Sequence, residues 1–164
     1  MFNLIVSGGG WEPHRDSFGS GRVLEYTDAA IAQRFMPNKV LDINAVAKLP
    51  TLFMSETQGA GNQVAYVGTI TQLKLSGTDF QIEYAVDPAI RPIPNSSLLR
   101  MARELGIEEF EFSRTHWAIK DADLYKALLR NLYSDLPTPK VFQLSPEPAN
   151  NRMVSAMMPF SAGF

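Results

Sequence analysis

The chain reads as an α+β domain: a twisted, mostly antiparallel, barrel-like sheet of about six or seven strands with three or four short helices. Three observations predict this. Val64 to Val86 is the longest stretch dominated by β-branched and aromatic residues, and Ser76-Gly77-Thr78-Asp79 interrupts it as a turn, so it reads as a long hairpin. On either side lie short apolar runs alternating with brief capped segments. The 164 residues are 45% hydrophobic and 20% charged with ten Phe, enough to bury one sizeable core and too apolar for disorder.

Within the hairpin, Phe80, Ile82, Tyr84 and Val86 alternate with Gln81, Glu83 and Ala85, the period of a strand with one face in a core. The first arm breaks that period, since Tyr66 and Ile70 share one parity while Val67, Leu73 and Leu75 share the other. A bulge near Gly68 or Thr71 accounts for the break and bends the ribbon. Upstream, Phe2 to Val6 is a first strand, followed by a glycine-rich loop from Gly8 to Arg22 and a short strand from Arg22 to Tyr26. Thr27 or Asp28 caps a helix through about Met36 with Ile31 and Phe35 inward. Asp42 opens a second helix, with Ile43, Val46, Ala47 and Leu49 inward, which Pro50 stops. Thr51 to Ser55 is a strand.

Beyond the hairpin, Pro88, Pro92 and Pro94 force an extended segment. Asn95 caps a helix carrying Leu98, Met101 or Ala102, and Leu105, with Gly106 suited to a left-handed cap. Glu109 to Phe112 alternates as a strand and runs on into Ser113 to Lys120. Asp121 caps the last clear helix, whose stripe is Leu124, Ala127, Leu128 and Leu132. Tyr125 and Leu129 widen that stripe, so packing on two sides is expected. Pro137 and Pro139 close the helix region, and Lys140 to Leu144 gives one more strand.

The formal net charge is -2 with Lys and Arg scattered, which is not the footprint of a dedicated nucleic-acid binder. The absence of Cys removes disulfides and thiolate ligands and favours a reducing compartment, and two His argue against a conventional zinc site. No metal or other cofactor is expected. The N-terminus lacks the positive region of a secretory signal, and no run of about 18 apolar residues occurs. The expectation is a cytosolic protein without membrane attachment.

No stretch spells a catalytic motif, so no catalytic residue is assigned. Gly8-Gly9-Gly10 follows a strand as phosphate loops do, but neither a GxGxxG spacing nor a GK[ST] ending is present. In that loop Trp11 or Phe18 can stack on a ligand, and Arg15 or Arg22 can pair with an anion, with His14 beside them; the plainer reading is a mobile surface loop. Ser113 to Lys120 is the densest group of chemically capable side chains. As a strand it puts Arg114, His116 and Ala118 on one face and Thr115, Trp117 and Ile119 on the other. Arg114 then offers a fork and His116 a hydrogen bond to an anion or nucleotide, with Lys120 close by; the plainer reading is an exposed strand face. Glu56 is either a site carboxylate or a solvated loop residue.

Ser145 to Arg152 is a polar segment with two prolines, the composition of a linker. It divides a recognition or regulatory domain over 1–144 from an apolar run, Met153-Val-Ser-Ala-Met-Met-Pro-Phe160, of the kind that fills a buried parallel strand. Residues 153–164 then open a second α/β domain. Met153 to Phe164 resembles the start of the Toll-interleukin receptor-like and nucleoside 2-deoxyribosyltransferase-like effector domains of bacterial immune proteins, where such a strand runs into a loop at the nucleotide site. Phe112 to Tyr125 looks like N-terminal modules that precede those effectors. The resemblance implies an NAD or nucleoside N-glycosidase in the C-terminal domain, with its catalytic glutamate downstream.

The expected function is therefore a non-catalytic ligand- or partner-sensing module that regulates a nucleotide- or NAD-cleaving effector domain in anti-phage defence, triggered by a nucleotide or phage-derived ligand. One rival is a nucleic-acid-binding β-barrel using Arg15, Arg22, Arg114, His116 and Lys120 with Trp11 as a stacking surface. Another is a homo-oligomerising scaffold that pairs through the Val64 to Val86 ribbon. A third is a small hydrolase built on His116, Arg114 and Glu56 or Asp121.

Overall fold

The computed structural model of the protein describes residues 1–11, 14–59 and 61–132. Among the described residues seven strands form one sheet: β1 (Phe2–Ser7), β2 (Arg15–Gly19), β3 (Pro50–Ser55), β4 (Val64–Ser76), β5 (Asp79–Val86), β6 (Ile93–Pro94) and β7 (His116–Lys120). Their spatial order is β2-β5-β4-β3-β1-β7, with β6 beside the start of β4. β1 and β3 run parallel and the other pairs antiparallel. Among the described residues five short helices accompany it: α1 (Ala29–Phe35), α2 (Ile43–Ala47), α3 (Asn95–Arg100), α4 (Ala102–Leu105) and α5 (Leu124–Leu132). The α+β class and the mostly antiparallel sheet agree with the sequence reading.

The sheet curls without closing into a barrel. Its end strands β2 and β7 do not pair, yet Phe18 reaches Trp117 with ring centroids 6.0 Å apart, and Phe80 of β5 reaches the same ring at 6.2 Å. The chain after β2 occupies the place where a closing strand would lie. Val23 bridges Trp117 in parallel, the Ile119 N–H donates to Thr27 Oγ1, and Arg22 donates to the Thr115 carbonyl. The outer edge of β7 thereby finds partners in a loop.

The curl has two visible causes in β4. Its register against β5 slips between Ile70 and Gln72, so Thr71 is the extra residue of a bulge, at one of the two positions the broken parity singled out. The slip brings Leu73 onto the face of Ile70 and Tyr66, while Leu75, at the hairpin tip, stays half exposed. At Gly68 the backbones of β4 and β5 approach so closely that a Cβ would lie 2.1 Å from the Ala85 carbonyl oxygen.

Each face carries its own core. The inner face of the curl gathers Ile5, Phe53, Ile70, Ile82 and Trp117 against Phe35 of α1 and Val46 of α2. The outer face gathers Phe2, Leu4, Leu52, Met54 and Ala118 against Leu98 of α3, Leu105 of α4 and Leu128 of α5. Burial of each such side chain is worth about 1.5–3 kcal/mol. Buried Asn3 ties the inner face together: Nδ2 donates to the Val46 carbonyl at 3.0 Å and Thr51 Oγ1 at 3.1 Å, and Oδ1 accepts from Trp117 Nε1 at 3.2 Å.

Asp28 and Asp42 cap α1 and α2 as expected, each accepting backbone N–H groups of the first turn. Elsewhere local signals are overridden. The stretch from Gly8 to Arg22, read as loop, contains β2, because Phe18 pairs opposite Phe80 and anchors it. Arg22 to Tyr26, read as a strand, follows a 3-10 turn over Ser20–Arg22 and keeps only the Val23 bridge, with Leu24 and Tyr26 at φ 64° and 56°. Glu109 to Phe112, read as a strand, is a 3-10 helix over Glu109–Ser113, because Glu108 and Glu111 close a capping box around it.

The single helix expected from Asn95 breaks at Met101 into α3 and α4 and ends on Gly106 at φ 67°, the predicted left-handed cap. In α5 the Lys126 N–H donates to Asp123, not Asp121, and Tyr125 and Leu129 are exposed, so the widened stripe has no second packing partner among the described residues. The strand read at Lys140 to Leu144, the linker over 145–152 and the apolar run from Met153 lie outside the described residues. Among the described residues no helix is long and apolar enough to cross a membrane.

Gly68→Ala is expected to cost about 1–3 kcal/mol or more, because the new methyl meets backbone that cannot move aside cheaply. The urea midpoint should fall accordingly. Gly21→Ala, where a Cβ meets nothing within 4 Å, is expected to leave it unchanged.

Candidate functional site

β1 and β3 end side by side at Ser7 and Ser55. The chain just after β3, the start of α3 and the 3-10 helix over Glu109–Ser113 enclose an open cleft of about 820 Å³. That volume falls within the range of about 300–1,000 Å³ typical of small-molecule sites. Leu99, Phe110 and Phe112 give the cleft an apolar lining, Thr57, Asn95, Ser96 and Ser113 a hydrogen-bonding one, and Glu108 and Glu109 an acidic one.

Asn95 is the buried polar residue of this lining, at 1% exposure. Its Nδ2 donates to the Ser55 carbonyl and to Thr57 Oγ1, both at 2.8 Å, and its N–H donates to the Gln63 carbonyl at 2.9 Å. A carbonyl only accepts, so the Ser55 contact fixes the orientation of the amide. Its Oδ1 is then left without a donor among the described residues, as is the buried Oε1 of neighbouring Gln63.

The wall that carries Phe110 and Phe112 is held from behind by Glu111. This carboxylate is fully buried and accepts from Lys120 Nζ at 2.6 and 2.8 Å and from the Glu108 N–H at 2.7 Å, and His116 Nε2 lies 3.1 Å from it. Burial alone pushes the Glu111 carboxyl up, but the His116, Lys120 and Glu108 hydrogen bonds and the Lys120 charge together hold it below its ordinary value. Nδ1 of His116 lies 2.7 Å from the Arg114 carbonyl, so both ring nitrogens face oxygens and a ring with one proton can donate to only one of them. Lys120 also donates to the Tyr26 carbonyl at 3.3 Å. The network thus joins the 3-10 helix, β7 and the loop at Tyr26.

Tyr26 completes the arrangement from outside. Its ring sits edge-on to Phe110 at 4.9 Å and to His116 at 5.1 Å, and the Arg114 guanidinium lies 5.7 Å from its centroid. Such a bulky residue at positive φ persists only where its surroundings over-determine it.

Of the seven candidates read from the sequence, Arg114, His116 and Lys120 come together around Tyr26 and Glu111, Arg22 reaches the Thr115 carbonyl beside them, and Trp11, His14 and Arg15 lie elsewhere. His116 and Lys120, expected at an anion pocket, are buried on Glu111. His116 takes that carboxylate as its partner, not Glu56 or Asp121. Arg22 donates to Glu25 at 3.3 Å and to the Thr115 carbonyl at 3.0 Å. Trp11 Nε1 donates to the Met54 carbonyl at 3.0 Å, and its ring packs edge-on against Phe53 and Tyr84. With exposed His14 it lines a smaller cavity of about 270 Å³ beside Tyr66 and Val86. Arg15 is exposed on β2 opposite Glu83. Glu56 accepts from the Thr115 hydroxyl in a short hydrogen bond, and Thr115 Oγ1 accepts the Gly8 N–H at 3.0 Å.

None of the seven lines the large cleft. Asn95 read as a helix cap and Phe110 and Phe112 as strand residues, so the residues that do line it went unsuspected. Glu111 carried a faint signal, since Glu108 and Glu111 have capping-box spacing. Among the described residues no three His, Asp or Glu side chains are grouped to hold a metal ion.

Glu111 yields a pH prediction. A carboxyl held below its ordinary value of 4.5 in the folded state contributes stability that is present above that value and is lost as pH falls through the lowered one. Glu111→Gln is expected to flatten the acid limb of the stability curve, measured by urea unfolding from roughly pH 3 to 7. At neutral pH it should cost about 3–5 kcal/mol, because Lys120 is left buried without its counter-charge.

No protein-family model matches the sequence, and searches of curated proteins and of solved structures find no match either.

Proposed function

We propose that residues 1–144 form a non-catalytic sensing module whose ligand site is the cleft lined by Thr57, Asn95, Leu99 and Phe110. The observation that carries this reading is the cleft itself, about 820 Å³ in volume, with an apolar side, a hydrogen-bonding side and a buried amide oxygen short of a donor. The charged groups of β7 support it indirectly: His116 and Lys120 face Glu111 behind the cleft wall.

The same geometry supplies a route from ligand to response. A molecule that packs on Phe110 and Ser113 touches the 3-10 helix, and that helix is clamped through Glu111 to β7 and the loop at Tyr26. A ligand that prefers one placement of the helix over another shifts the population of the whole clamp. On the resemblance of Met153 to Phe164 to the start of effector domains of bacterial immune proteins, the proposal takes the responding partner to be a nucleotide- or NAD-cleaving domain in anti-phage defence.

Ser96→Trp tests the site, since Ser96 is exposed and lines the cleft. Small-molecule extracts of bacteria, with and without phage infection, are added to the purified protein and thermal unfolding is followed. The wild type is expected to gain several degrees, as binding at a hundredfold excess over Kd adds about 2.7 kcal/mol. Ser96→Trp should keep its own midpoint and lose the gain. No gain in the wild type, or an equal gain in the variant, would end the proposal.

A further inference from the structure

We infer that the cleft takes a planar, uncharged heterocycle bearing N–H donors, of nucleobase or nucleoside type, and discriminates against its phosphorylated forms. This deepens the reading of the cleft as a ligand site and rests on it. Three independent features converge. The first is charge: Glu108 and Glu109 line the cleft, and no Lys, Arg or His does so among the described residues. Carboxylates beside a site repel a phosphate, so a nucleotide would enter against the local field.

The second feature is a stacking surface. Phe110 lines the cleft and is half exposed, at 50%, while Tyr26 packs at right angles to its ring at 4.9 Å and limits how that ring can turn. A flat ring system gains from such a platform without having to order it. The third is the polarity of the unmet hydrogen bonds. Asn95 lines the cleft, and its buried Oδ1, which has no donor among the described residues, is an acceptor. Acceptors call for a donor-bearing ligand, and phosphate oxygens are themselves acceptors.

The test is a titration of the purified protein with adenosine, guanosine and cytidine and with their three 5′-monophosphates, by calorimetry or ligand-observed NMR. At least one nucleoside is expected to bind about tenfold or more tightly than its own monophosphate. Phe110→Ala should weaken that nucleoside by about tenfold or more while leaving the unfolding midpoint near wild type, since the ring is half exposed. Glu109→Lys should narrow the gap by raising affinity for the monophosphate. Monophosphates that bind as well as nucleosides, or a nucleoside indifferent to Phe110→Ala, would overturn the ligand class. Silence from all six compounds would overturn it too. If the wild type still gains stability from extract and Ser96→Trp does not, the sensing site survives; if neither gains, both readings fall.

Discussion

The interaction on which the rest of the site depends is the buried contact between Glu111 and Lys120. A carboxylate removed from water is costly, and it is tolerated here because the Lys120 ammonium bridges both its oxygens, the Glu108 N–H donates to it and His116 Nε2 lies 3.1 Å away. Those groups come from the start of the 3-10 helix and from β7, segments with no regular hydrogen-bonded ladder between them, and Lys120 also donates to the Tyr26 carbonyl of the loop beside them. Apolar packing alone would let such segments slide. A charge with fixed partners lets them meet in one way, and the wall of the cleft, Phe110 through Ser113, is the outer surface of that arrangement.

The sheet places this clamp. Because β4 carries an extra residue at Thr71 and a glycine where β5 crosses close, the ribbon bends and brings Phe18 at one end of the sheet against Trp117 at the other. With β2 and β7 facing each other across that core, the loop after β2 has only a short distance to travel to the edge of β7, where Val23, Thr27 and Tyr26 attach. Curl, edge cover and clamp are therefore consequences of one another. The outer face, packed by α3, α4 and α5, supplies the opposite side of the cleft through Asn95 and Leu99.

Much of this was legible from residue order. The hairpin followed from its β-branched and aromatic run, its turn from Ser76 to Asp79 and its bulge from the parity of Tyr66, Ile70 and Leu73, while Asp28, Asp42 and Gly106 marked helix ends by side-chain chemistry that acts within a few positions. What misled was the same kind of local evidence read where tertiary contacts outweigh it. Phe110 and Phe112 alternate with Glu109 and Glu111 as a strand would, but a buried Glu111 in a capping box makes a tight helical turn, with Phe112 buried and Phe110 half exposed. Arg114, His116 and Lys120 stood out as a binding cluster because their chemistry is strong; the structure spends His116 and Lys120 internally.

Taken alone, the order of amino acids determined the class of fold, the alternating faces of the hairpin and the caps at Asp28, Asp42 and Gly106, because each of these is decided by neighbours two to four positions away along the chain. The site was decided only by tertiary structure. Thr57, Asn95 and Phe110 have no relation in sequence and become neighbours through a parallel strand pair, a helix start and a 3-10 turn that converge at one end of the sheet. Whether His116 meets a ligand or a buried carboxylate depends on how far the sheet curls and on which loop lies over β7, and those are properties of long-range packing that no local pattern carries.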